Sequence, residues 1–376
     1  MRLPFRPARR SRQTDPAPRP KLILHAGSQK TGTTAIQYVL SEHRDRLRAQ
    51  GIWYPAIADY FPMDRKLSRA RAHFAFANAV ADDTPKDRKR LDRLLADAET
   101  SGASRVILSA ESLYRLSAKS DAGAKEKRSA KRMRFLARLA EVTAGFDTEI
   151  LLYLRRVDSF AASLYAETIV RTDRTWSFDE FLTSKDQRLG YRDKIDEFGA
   201  HFPVTVRSFE AAAASGLLRS FCADAGIPDP LPEAETHRRA SMSNAGLLWL
   251  RRAKVAQGNM AAPERDRRWH FSLRPENADL FASEAPTSLW PDRATRDAFI
   301  ARHQAGVTEI AFPAPPADIA PPARPAGTTA STKRPSAALP PGRAPTPPSF
   351  ANASATGSRP TCSSPDLSPY FSPMSA

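Results

Sequence analysis

The stretch KLILHAGSQKTGTTAIQYVL (21–40) decides how the rest of the chain is read. Its first seven residues are mostly apolar with no clean alternation, as in a strand buried on both faces. From about Gly32 the period changes. Ile36, Val39, Leu40, His43 and Leu47 fall on one helical face, and Gly51 ends the run. A buried strand, a Gly/Thr-rich turn and an amphipathic helix open a parallel strand–helix–strand unit. The pattern recurs downstream. RVILSA (105–110) follows a helical segment around Leu91, Leu94 and Leu95, and TEILLYL (148–154) follows a basic one around Met133, Leu136 and Leu139. PVTVRSF (203–209) follows a helix over roughly 158–170 and precedes one over 214–225, which Gly226 and Pro228 end. Beyond 240 the pattern is helical only. Strands separated by helices of this length predict an α/β fold, a central parallel sheet with helices on both faces.

Composition sets the limits of that domain. The 376 residues carry 57 Lys+Arg against 41 Asp+Glu, a net charge of +16, of which +5 lies in residues 1–20 and +3 in residues 311–376. Proline is concentrated in the same places, five of 32 in the first 20 residues and sixteen in the last 66. Such segments offer no apolar face to offset the entropy of ordering. The expected organisation is a disordered basic arm (1–20), one domain (21–310) and a disordered Pro/Ala/Ser-rich tail (311–376). RATRDAFIARHQAG (293–306) begins a terminal helix, and then the composition changes abruptly. Either an extension was added there, or the reading frame changed and the native end was lost. The start has charge but no apolar core, so no secretory signal is expected, and no run reaches the ~20 apolar residues of a membrane span. With only Cys222 and Cys362, a disulfide scaffold and a cysteine-built zinc site are excluded, and a reducing cytoplasm is the expected location.

The turn GSQKTGTT (27–34) is the first candidate site. Glycines allow backbone N–H groups to converge, and a helix N-terminus adds a positive end, a combination suited to phosphate or sulfate. The Gly27–Gly32 spacing is that of a Walker A loop, but Thr33 stands where its lysine should be and the only lysine is Lys30. The alternative is a turn that merely packs closely. ILHAGSQKTGTTAIQYVL resembles the 5′-phosphosulfate loop of the sulfotransferase family, in particular its bacterial, carbohydrate-directed branch. That resemblance implies a P-loop-like sulfotransferase fold and 3′-phosphoadenosine-5′-phosphosulfate (PAPS) as sulfuryl donor. It implies Lys30 on the bridging oxygen and Gly32, Thr33 and Thr34 on the 5′-phosphate, with Gly27, Ser28, Gln29 and Thr31 completing the loop. A lysine at the leaving phosphate stabilises negative charge that builds in the transition state.

LLYLRRVDSFAASLY (151–165) resembles the family's 3′-phosphate element, an Arg at a strand end, a Ser eight residues on and a Tyr two further. Arg155, Ser163 and Tyr165 meet that spacing. Many members have Pro where Val157 stands and a second Arg where Phe160 stands. Taken alone, Arg155 and Arg156 read equally as a solvated pair. VRSFEAAAASGLLRSFCADAGIP (206–228) is similar to a later family segment, with Phe209 and Glu210 structural. Arg238 and Arg239, in THRRASMS (236–243), fall roughly where members place a further clamp on the donor; the alternative is an exposed basic pair. The resemblance covers about residues 21–255.

Transfer to a hydroxyl needs a base. Glu111 follows the second of these strands on the side where parallel sheets hold ligands, and carbohydrate sulfotransferases place a catalytic glutamate near this cleft. Its alternative role is to begin or cap a helix. His25, just before the loop, is the second candidate base; a histidine there otherwise reads as a satisfied core residue. The remaining histidines share no metal-ligand spacing, and no metal is expected. The implied activity is in-line transfer of the sulfuryl group from PAPS to a hydroxyl of a glycan or other hydroxylated metabolite. Its pocket is expected from 52–80, 111–130 and the segment after 255, where Trp53, Tyr54, Phe61, Phe74 and Phe76 either stack on sugars or, for most, fill the core. Two rivals stand beside it: a degenerate P-loop kinase or nucleotide hydrolase, and a basic nucleic-acid or anion-binding protein. The second is weakened by the absence of aromatic–basic interleaving.

Overall fold

A computed structural model describes residues 19–28, 30–61, 72–119, 127–232, 242–258, 260–274, 277 and 288–315, without the side chains of 187 and 188. The remainder of the arm and tail, together with Gln29, Arg238 and Arg239, lies outside the described residues.

Five parallel strands form one sheet in the order β2-β3-β1-β4-β5: β1 Lys21–Gly27, β2 Ile52–Trp53, β3 Arg105–Ser109, β4 Asp147–Leu154 and β5 Val204–Ser208. Successive side chains of a strand point to opposite faces, and here both faces are covered. Leu22, Leu24, Ala26, Leu108 and Leu152 join one buried cluster, while Ile23, Ile107, Leu151 and Tyr153 join the other. That is why the strands read as unbroken apolar runs. The second cluster is closed by α1 (Thr33–Glu42), α2 (Arg44–Ala49), α9 (Phe209–Ala214) and α10 (Leu217–Asp224). The first is closed by α3 (Phe74–Asp82), α4 (Pro85–Thr100), α5 (Arg128–Val142), α6 (Val157–Arg171), α7 (Phe178–Leu189), α8 (Arg192–Gly199), α11 (Asn244–Gln257) and α13 (Arg293–Gln304). Helix α12 (Ala262–Leu273) packs on α6 and α11. The α/β architecture is as the sequence predicts.

Four local features differ from the sequence reading. The 52–80 segment holds β2, a 3-10 turn at Ile57–Asp59 and α3; a two-residue strand is too short to leave a periodic signal. The first helix is interrupted at His43 (φ −111°, ψ 29°), where Arg44 bonds Ser41 O (3.0 Å) and Tyr54 O (3.2 Å). The helix placed over 214–225 starts at Phe209, with Ser208 Oγ accepting from Ala211 N, and breaks at Gly216 (φ 94°). Finally, the boundary at 310 is too early. Phe312 packs on the core and Arg156 Nη1 donates to Ala314 O (3.4 Å), so the described domain runs through residue 315. Among the described residues no helix is long and apolar enough to cross a membrane.

Helix α6 matters because it starts at the crevice side of β4. Its far end is secured by buried Lys254 of α11, whose Nζ donates to Ile169 O (2.7 Å), Thr172 O (2.7 Å) and Arg174 O (2.8 Å). These carbonyls sit at a helix end that leaves its last acceptors without intrahelical donors. Lys254→Met keeps the apolar stem and removes the donors. It is expected to lower stability by about 1.5–3 kcal/mol, seen as a lower urea midpoint at unchanged slope. An unchanged midpoint would mean that water serves the carbonyls equally well.

Candidate functional site

The order of strands places the chain's reversal at β1, with β3 on one side and β4 on the other. Ligands of open parallel sheets bind outside the carboxyl ends of the strands at such a point. Three segments meet there: the turn after β1, the turn after β3 and the elbow between β4 and α6.

The turn after β1 is drawn tight. Ser28 N donates to Tyr153 O (3.0 Å), and Thr31 Oγ1 donates to Ser28 O (2.9 Å). A side chain at Gly27 would collide with Thr31 Oγ1 and come within 3.0 Å of Tyr153 O, so glycine is required by close approach. Gly32 is left-handed (φ 71°, ψ 9°) and caps α1 without any side-chain hydrogen bond. The first N–H groups of α1, which have no intrahelical acceptor by geometry, therefore receive no capping side chain. Lys30 is also left-handed (φ 67°), which costs a non-glycine residue about 1–2 kcal/mol. Its side chain is exposed and makes no hydrogen bond or ion pair among the described residues. Backbone strain of this kind clusters at ligand sites in proteins generally.

The β4–α6 elbow is tied to this turn. Arg155 N donates to Ser28 Oγ (3.0 Å) and Arg155 Nη1 donates to Lys30 O (3.4 Å). The guanidinium lies over the Phe209 ring (5.7 Å) and 3.9 Å from Glu210, yet its buried Nε has no hydrogen-bond partner. Burial holds the Arg155 proton affinity below its usual value, with Glu210 opposing. Arg156 has a different role. It is buried, grips Asp158 through two hydrogen bonds (2.6 and 3.0 Å), and its N–H lies 3.0 Å from each Glu210 oxygen. The two adjacent arginines are thus separated into one that faces the crevice and one that builds the elbow. Ser163, half-buried on α6, has no hydrogen-bond partner among the described residues. Tyr165 is turned away from the crevice. Its hydroxyl donates to Trp176 O (2.9 Å) and its ring packs against Phe178 and Phe181.

Glu111 opens the 3-10 turn Glu111–Tyr114 directly after β3. The turn is held from below by Arg132, which donates to Leu113 O (2.7 Å) and Leu116 O (2.6 Å). The Glu111 carboxylate does not cap its own turn; it accepts from Thr33 Oγ1 of α1 (3.1 Å). Burial pushes its proton affinity up, the Thr33 bond opposes this, and the Glu167 charge adds to it, against Arg115 and Lys30. Glu167 stands one helical turn after Ser163 on the same face of α6. Sequence reading missed it, although the i, i+4 spacing from Ser163 was a usable signal.

His25 does not reach the crevice. It is fully buried among Tyr153 and Phe221, with Nδ1 2.8 Å from Ser109 Oγ and Nε2 unpartnered. Burial pushes its imidazole down to about 3, so it stays neutral in the core. Of the aromatics, Tyr54, Phe61 and Phe76 are buried, and Trp53 and Phe74 pack against the core. An open cavity of about 380 Å³ beside Trp53, Tyr60 and Asp97 is lined by neither Lys30 nor Glu111. Gln29, Arg238 and Arg239 fall outside the described residues. Compared with known proteins, the chain matches no family model and no curated protein.

Proposed function

We propose that the chain is a cytoplasmic PAPS-dependent sulfotransferase acting on a hydroxyl of a glycan or other hydroxylated metabolite. The observation that carries this reading is the junction of its two motifs: Arg155 bonds both Ser28 and the carbonyl of Lys30, while the Lys30 ammonium makes no hydrogen bond or ion pair among the described residues. Residues far apart in sequence thus line one crevice and leave cationic donors unspent.

The donor set fits the ligand. Two separate phosphate positions need two cationic or N–H-rich sites, and the crevice supplies Lys30 with the α1 start and Arg155 with Ser163. When bound, PAPS supplies an electrophilic sulfur and a phosphate leaving group. The Lys30 ammonium is placed to counter charge on that phosphate as the sulfur–oxygen bond breaks. Thr34 would offer its hydroxyl, and Thr33 and Thr34 their backbone N–H groups, to the same phosphate, while the Glu111 carboxylate, which holds the Thr33 hydroxyl, would take the acceptor's hydroxyl proton as its oxygen bonds sulfur. No metal is required by this scheme.

Calorimetry with two product-like nucleotides tests the reading. The parent protein is expected to bind adenosine 3′,5′-bisphosphate. Arg155→Ala should weaken that ligand by about 10- to 100-fold, the loss of one charge-assisted contact, and Ser163→Ala by less. Adenosine 5′-phosphate should be affected much less by either change. Equal losses for both nucleotides would make these residues general supports, and no binding by the parent would reject the proposal.

A further inference from the structure

The domain's last described segment bears on the donor crevice. Two contacts from residues 304–314 reach the elbow at residues 155–157 directly, and a third reaches it through Tyr191. Gln304 Oε1 accepts from Val157 N (3.3 Å), Ala314 O accepts from Arg156 Nη1 (3.4 Å), and Phe312 stacks on Tyr191 (ring centroids 6.1 Å, 25° between planes). Tyr191 is fully buried, and its hydroxyl donates to the carbonyl of Arg155. Its ring also packs against Phe160 of α6 (6.1 Å). The next residue, Arg192, anchors the same segment through Gly306 O (3.2 Å) and Glu309 (2.6 Å).

The consequence concerns how Arg155 is aimed. Its side chain is held by long contacts: Nη1 reaches Lys30 O at 3.4 Å, the guanidinium lies 5.7 Å from the Phe209 ring, and Nε lies 3.9 Å from Glu210 with no hydrogen bond among the described residues. Its backbone is fixed on both polar groups, N–H by Ser28 Oγ and carbonyl by Tyr191. The direction of the guanidinium is therefore set from behind, and affinity gained by preorganisation depends on those backbone bonds. Glu210 already pairs with Nε at 3.9 Å and would draw a loosened Arg155 away from the ligand.

We infer that Tyr191 is a positioning residue for the 3′-phosphate of the donor, and that Phe312 acts through it to hold Arg155 toward the ligand. The inference rests on the sulfotransferase reading and deepens it. It also gives the chain up to residue 314 a part in the site, in the region where the composition has already turned to Pro and Ala.

The test uses the full-length chain with Tyr191→Phe, Phe312→Ala and the double variant, titrated with the same two nucleotides. Tyr191→Phe keeps the ring and removes one hydroxyl donor. It should weaken adenosine 3′,5′-bisphosphate about three- to tenfold and leave adenosine 5′-phosphate unchanged. Phe312→Ala should act in the same direction, and the double variant should lose less than the product of the two single losses, because both act on one path. With PAPS as substrate, KM should rise while kcat holds. Phe312→Leu keeps the position apolar and replaces Phe312→Ala if the latter does not fold. A uniform loss for both nucleotides, or none, in a parent that binds the bisphosphate would overturn the Tyr191 assignment alone. A parent that binds no bisphosphate would overturn this inference and the sulfotransferase reading together.

Discussion

Lys30→Ala is expected to remove sulfuryl transfer and leave the fold standing. The side chain is exposed and takes no part in any hydrogen bond or ion pair among the described residues, so its loss should change stability by no more than about 0.5 kcal/mol. Its task would be felt only as charge develops on the leaving phosphate. Removing a single preorganised donor from such a position costs on the order of 10²–10³ in kcat, and a full positive charge should lie at or beyond the upper end. Lys30→Gly sharpens the test. Because residue 30 is left-handed, glycine should relieve strain and raise stability by about 1 kcal/mol, yet be as inactive as alanine. Opposite signs on stability and activity at one position would place the lysine in the chemistry. Turnover of labelled PAPS by either variant at the parental rate would remove Lys30 from it.

The division between what the sequence revealed and what it hid follows from range. The sheet was legible because β1, β3 and β4 are buried on both faces and so carry uninterrupted apolar runs. The two-residue β2 had no such mark, and its pairing with β3 is a tertiary fact. The left-handed turn at Lys30 and Gly32 was legible because it depends on local backbone geometry, and glycine betrays it. Arg155 and Arg156 could not be told apart by their letters. One projects to the crevice while the other is neutralised by Asp158 two residues on, a distinction made by packing. His25 was hidden for the opposite reason. Its position before the loop is right, but strand alternation carries its side chain to the Tyr153 and Phe221 face. Tyr191 and Phe312 lie far from either motif in sequence. They enter only when the helices are laid on the sheet.

Glu111→Gln is expected to cut turnover by about 10²–10⁴, the range for losing a general base, without weakening the fold. The direction of the stability change follows from the proton. Burial raises the folded-state affinity of this carboxyl above that of the unfolded chain. Between the two values the folded state holds a proton that the unfolded state has released, so stability falls as pH rises through that window and stays lower above it. Glutamine does not titrate and can still accept from Thr33 Oγ1. At neutral pH the variant should therefore melt at or above the parental temperature while its turnover collapses. A structural carboxylate predicts the reverse pair, a lower melting point and unchanged turnover per folded molecule. The pH profile gives an independent reading, once a panel of hydroxylated glycans and lipids has supplied an acceptor. Turnover should rise with pH as Glu111 ionises, with the limb above the ordinary carboxylate range. Glu167→Gln removes a like charge that raises the affinity further, so it should move that limb to lower pH. A limb that stays in place in Glu167→Gln and persists in Glu111→Gln would assign the titration, and the base, to another group.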